Sequence, residues 1–200
     1  MSQVRHLENE EGDVLLIAPE LTLRFFWTGD RWSHALESQG RALAVSLEGP
    51  DLPAFQQLHV QPDGDGESWL ALAVGQSGLK HYSASFRVSP LGRVEVDIAD
   101  RGEGLEPPLA PSYAVDAGPD SAASLELDAD DGGISWAANR GRLTMWVEGQ
   151  HPPRLAVAEA GPRGWRIQAV AEAEVAADSK IASNTTTRRC RVVWSFSSSC

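Results

Sequence analysis

Cysteine is nearly missing from this chain. Cys190 and Cys200 are the only two in 200 residues, and both fall in the last eleven. The bulk of the fold therefore has no disulfide framework and no thiolate metal site. Long apolar runs are missing too: nothing approaches the roughly eighteen residues of a spanning helix. The opening residues MSQVRHLENEEGD are acidic and polar, without the basic-then-apolar order of a secretory signal, so the cytoplasm is the expected location. Positive charge is scarce, with 17 Lys and Arg against 28 Asp and Glu and a net charge of −11. That balance argues against nucleic acid and against an anionic membrane surface, both of which need clustered Lys and Arg. Neutral or cationic ligands, carbohydrate among them, or a protein with a basic patch, fit it better. Catalytic signatures are also wanting: there is no HExxH, no His-x-His and no GxSxG. A glycine-rich phosphate loop would need a strand–loop–helix setting that the pattern does not offer. Neither metal nor cofactor is expected.

What is present is period-two alternation, repeated between short turns, the pattern of an all-β domain. The stretch FFWTGDRWSH shows it best. Gly29-Asp30 suits a two-residue hairpin loop with glycine at positive φ, which pairs Trp27 with Trp32, Phe25 with His34 and Leu23 with Leu36. Alternation then places Leu21, Leu23, Phe25, Trp27, Trp32, His34 and Leu36 on one face, and Thr22, Arg24, Ser33 and Glu37 on the other. A second hairpin, YSASFRVSPLGRVEVDIAD, sets Val88 opposite Val94 around a Pro90-Leu91-Gly92 loop. Tyr82, Ala84, Phe86, Val88, Val94, Val96 and Ile98 share its apolar face, while Arg87–Glu95 and Ser85–Asp97 meet on the polar one.

Further strands are predicted near 13–19, 42–49, 55–61, 68–75, 124–129, 134–138, 143–149, 154–160 and 164–170, and 169–178 reads as strand or short helix. The expected architecture is an antiparallel two-sheet β-sandwich of roughly ten strands, with a distorted β-barrel as the alternative. Residues 1–12 read as a flexible acidic start and 13–179 as one domain. Residues 101–123, rich in Pro, Gly and acid, read as a long loop or crossover. Residues 180–200 carry four basic residues and no acidic one. They read as a disordered tail or a docked edge strand.

Function is less legible than fold. Trp27, Trp32 and His34 form an aromatic group that reads either as core or as a platform for a sugar ring or a cation. Trp146 breaks the parity of Leu143, Met145 and Val147, so it is expected on an outer sheet face, where exposed tryptophan often meets a ligand. His59 and His81 lie on polar strand faces and, with Glu95, Asp97 or Glu67, are the candidates for an acid–base pair. The acidic turns 63–67 and 128–132 hint at calcium but lack the full ligand spacing. Asn184-Thr185-Thr186 matches a glycosylation acceptor, which matters only in a secreted protein. The reading that follows is a non-catalytic binding module contacting carbohydrate or protein through surface aromatics, with homo-oligomerisation open. Its alternative is an enzyme acting on a sugar-like substrate through a histidine and a carboxylate.

Overall fold

A computed structural model describes residues 3–64, 66–103, 107–116, 126–128, 133–138, 141–149, 152–159, 164–171 and 185–198. The alternating stretches become strands β1 (Arg5–Glu8), β2 (Val14–Ile17), β3 (Thr22–Trp27), β4 (Trp32–Ser38), β5 (Arg41–Ser46), β6 (Gln57–Asp63), β7 (Ser68–Ser77) and β8 (Lys80–Val88). They continue as β9 (Arg93–Glu103), β10 (Ser112–Asp116), β11 (Glu126–Asp128), β12 (Gly133–Ala138), β13 (Gly141–Glu148), β14 (Arg154–Glu159), β15 (Gly164–Val170) and β16 (Thr185–Ser198). One eight-stranded sheet runs β1-β2-β3-β4-β5-β10-β15-β14, the other β11-β12-β13-β16-β9-β8-β7-β6. Every pairing is antiparallel. Each sheet ends in two open edges, so the molecule is a sandwich and the barrel alternative is excluded. Strands exceed the expected ten in part because β1 and β10, of four and five residues, lie in segments read as a flexible start and a loop.

Both anticipated hairpins keep their register. Phe25 faces His34 and Trp27 faces Trp32 across a turn in which Thr28 N–H donates to Arg31 O at 2.9 Å and Gly29 takes φ 111°. Val88 faces Val94, with Gly92 at φ 72°. Their apolar faces meet between the sheets: Phe25 packs edge-on against Phe86 with ring centroids 5.0 Å apart. Alternation has put both rings on inner faces, and burial of each such side chain stabilises the fold by about 1.5–3 kcal/mol.

The C-terminal segment corrects an expectation. β16 is neither a disordered tail nor an edge strand; it lies between β13 and β9 in the middle of its sheet. Its inner face supplies Cys190, Val192 and Trp194, all buried, and the Trp194 ring meets Trp136 and Tyr113 at 5.9 and 4.9 Å. Its cations find the acidic body. Arg188 forms a buried ion pair with Asp100 of β9 and donates to Pro107 O at 2.8 Å, while Arg191 reaches Glu95 at 2.8 Å. The N-terminal stretch likewise holds a strand, β1, paired to β2. Part of 101–123 is strand as well, since β9 runs to Glu103 and β10 spans Ser112–Asp116. The segment 172–178, the glycosylation triplet's Asn184 and Cys200 lie outside the described residues.

A strap, residues 52–56, crosses from one sheet to the other. Trp32 N–H donates to Phe55 O at 2.7 Å, and Gln56 N–H donates to Val74 O at 3.0 Å. Gln56 Oε1 also accepts from Gln76 N–H at 2.7 Å. The strap lies so close to β7 that a Cβ on Gly75 would stand 2.1 Å from Ala54 O, so only glycine fits there.

Candidate functional site

The ladder between β4 and β5 ends early. A bulge at Leu36/Glu37 shifts the register, and pairing stops at Ala35–Val45, three residues short of the start of β4. Past that point His34 N–H donates to the Ser46 hydroxyl at 2.9 Å rather than to a ladder carbonyl. Leu47 N–H turns away to Ser112 O at 2.8 Å, and Trp32 N–H goes to the strap. The parted strands, the strap and the start of β10 enclose a cleft of about 350 Å³, its open mouth included, lined among others by Arg31, Trp32, His34, Glu48, Phe55 and Tyr113.

Trp32 lines this cleft, and the indole of Trp27 stands beside it to form an aromatic rim. Trp27 is 47% exposed, Trp32 half-buried, and their rings meet edge to face at 5.6 Å. Strand alternation points both indoles to the inner side of the sheet, where Trp32 packs against the core while Trp27, at the end of its strand, stays half exposed. The floor is polar and buried. His34 Nε2 lies 3.4 Å from Tyr113 Oη, with the Phe86 ring 4.8 Å from the imidazole. Burial pushes the His34 pKa down to about 3 and raises that of Tyr113, so both are uncharged at neutral pH. At the mouth, Ser33 donates to Glu48, and Arg31 Nη2 pairs with Asp30 at 2.7 Å, which holds the guanidinium above its ordinary pKa. Arg31 Nη1 is buried without a hydrogen-bond partner among the described residues.

Comparison with known proteins reaches the fold and stops there. No protein-family model matches the chain, and no curated protein matches it. Among solved structures, heparinase III with methylated lysines superposes with a TM-score of 0.62 at 8% sequence identity. The match covers 98% of this chain and 36% of that one, so this chain spans about a third of the length of the protein it resembles. At that identity the likeness is one of β-sandwich architecture alone.

The other sequence-based candidates do not gather at a site. Trp146 does lie on the outer face of its sheet, but the protein's own groups occupy it. The Arg93 guanidinium sits 5.4 Å from its ring centroid, and its indole N–H donates to Glu148 at 2.9 Å. Arg93, Glu95, Glu148 and Arg191 complete a charge network around it. His59 and Asp97 share a rung through Leu72 and Ser85, which sets them three strand spacings, or about 14 Å, apart. His81 pairs with Arg101, four residues along β9 from Asp97 and six from Glu95, so the nearer carboxylate is about 13 Å away along the strand. Glu67 belongs to neither rung; it lies in the turn before β7, where its carbonyl accepts from Val4 N–H. An acid–base pair acts at hydrogen-bond range, so neither histidine forms one with these carboxylates. No group of three or more His, Cys, Asp or Glu able to hold a metal ion occurs among the described residues; the acidic turns at 63–67 and 128–132 fall partly outside them. Among the described residues no helix is long and apolar enough to cross a membrane.

The sequence pattern groups Trp27, Trp32 and His34 on one strand face, and it does not show that Tyr113, Ser46 and Glu48 line the same cleft as Trp32 and His34. Tyr113 is 79 positions from His34 and joins it only because β10 docks beside β5. The one local signal was Tyr113 itself, a phenol inside a segment read as loop.

Proposed function

We propose that this sandwich is a non-catalytic carbohydrate-binding unit that holds a sugar ring against the Trp27–Trp32 rim. One observation carries the reading. A half-exposed indole stands edge to face with a second indole at the mouth of a polar-floored cleft. Aromatic faces take the apolar C–H faces of sugar rings, and a few convergent polar groups fix their orientation. The net charge of −11 supports a neutral ligand. The sandwich also resembles part of a protein whose name marks it as a heparinase, an architecture compatible with sugar contact.

Tryptophan fluorescence and calorimetry against a panel of oligosaccharides test the reading. Trp27→Ala should weaken binding of the responding oligomer by about tenfold or more, as loss of an aromatic anchor does, with an unchanged circular dichroism spectrum. Binding that ignores Trp27→Ala and Trp32→Ala alike removes the reading.

A further inference from the structure

Rim and floor of the cleft differ chemically, and the floor selects a narrower ligand class than the rim. This step rests on the carbohydrate reading above. His34 and Tyr113 are both uncharged and bonded to each other at 3.4 Å, so the pair leaves one donor and one acceptor over. The group that answers such a pair both donates and accepts, which is a hydroxyl. A carboxylate or sulfate ester only accepts and would stand near Glu48, while Arg31, the cation of the lining, is already paired with Asp30. An ammonium only donates and would meet Arg31. The buried Arg31 Nη1 remains a spare donor for a neutral oxygen. Size narrows the choice again. Most of the 350 Å³ is open mouth, and the enclosed part, walled by Pro53, Phe55 and Ile98, has room for little more than one water-sized group. A ring stays at the rim, and only an arm enters.

We propose that the cleft is a specificity pocket for the neutral hydroxymethyl arm of a hexose whose ring rests on Trp27 and Trp32, and that it rejects the same arm oxidised to a carboxylate. The comparison that tests it uses matched β-1,4-linked oligomers of the gluco and galacto series: the hexose form, the pentose form lacking the arm, and the form oxidised at C6. Calorimetry on the whole chain should show the pentose form binding roughly 3–10-fold more weakly, the worth of a net neutral hydrogen bond. The oxidised form should be weaker still. Tyr113→Phe should bring hexose affinity down to the pentose level without changing pentose affinity, while loss of its bond to His34 lowers Tm. Glu48→Gln, which leaves the floor intact, should narrow the gap between hexose and oxidised forms by recovering binding of the oxidised form; it decides the matter if Tyr113→Phe does not fold. Equal wild-type affinity for hexose and pentose forms, or for hexose and oxidised forms, overturns the pocket. In that case a loss on Trp27→Ala still upholds the rim as a sugar site, whereas no binding of any oligomer overturns both.

Discussion

Two tryptophans on outward or rim positions, Trp146 and Trp27, have opposite fates. Around Trp146 the protein has met every demand of the indole: a cation over its ring and a carboxylate on its N–H. Around Trp27 it has supplied only another indole, leaving half the side chain in water. The difference comes from the sheets beneath. β13, β16 and β9 are paired along their lengths, so long charged side chains on neighbouring strands fall into register over Trp146. β4 and β5 separate after Ala35, and the groups that would have covered the hairpin end go to the strap and to β10 instead. A surface aromatic points to a ligand only where the fold leaves its faces without partners of its own.

Substitutions can break this contrast between a closed sheet and a parted one. The largest effect is expected at the buried ion pair of the closed sheet. Asp100→Asn leaves the Arg188 cation in the core against a neutral amide and should cost about 3–5 kcal/mol in chemical denaturation. Next comes the strap. Gly75→Ala forces Ala54 away from β7 and should cost about 1–3 kcal/mol while also weakening oligosaccharide binding, because Phe55 walls the cleft.

The parted sheet has its own pH signature. His34 titrates near 6.5 when unfolded and near 3 when folded, because burial disfavours the cation. A depressed folded pKa means stability that is complete above about pH 6.5 and is lost as pH falls toward 3, reaching about 2 kcal/mol of loss at pH 5. His34→Asn should flatten that part of the stability–pH curve, read as the difference between the two proteins. The smallest effect is expected at Trp146. Trp146→Ala gives up a partly exposed cation–π contact, should cost under about 1 kcal/mol, and should leave oligosaccharide affinity unchanged. A binding loss there would erase the contrast with Trp27.

Particular residues show how far pattern reading carried. Phe25–His34 and Val88–Val94 were placed correctly because hairpin register depends on turn residues and on the next few side chains. The tail was misread because Ser, Thr and Arg look like solvent residues until Arg188 finds Asp100, 88 positions earlier. His59 and His81 looked available for chemistry, yet a sheet is a rigid grid, and the rungs they occupy keep carboxylates out of reach.

The amino-acid order by itself determined that this chain forms antiparallel strands, which side of each hairpin turns inward, and that it carries a net charge of −11. These follow from local geometry, where a two-residue period and a glycine at positive φ suffice. Only the tertiary structure decided that β16 would stand at the centre of its sheet, that β4 and β5 would part, and that His34 would meet Tyr113. Those outcomes depend on segments far apart in sequence competing for the same hydrogen bonds and the same buried space. No local pattern records which of them prevails.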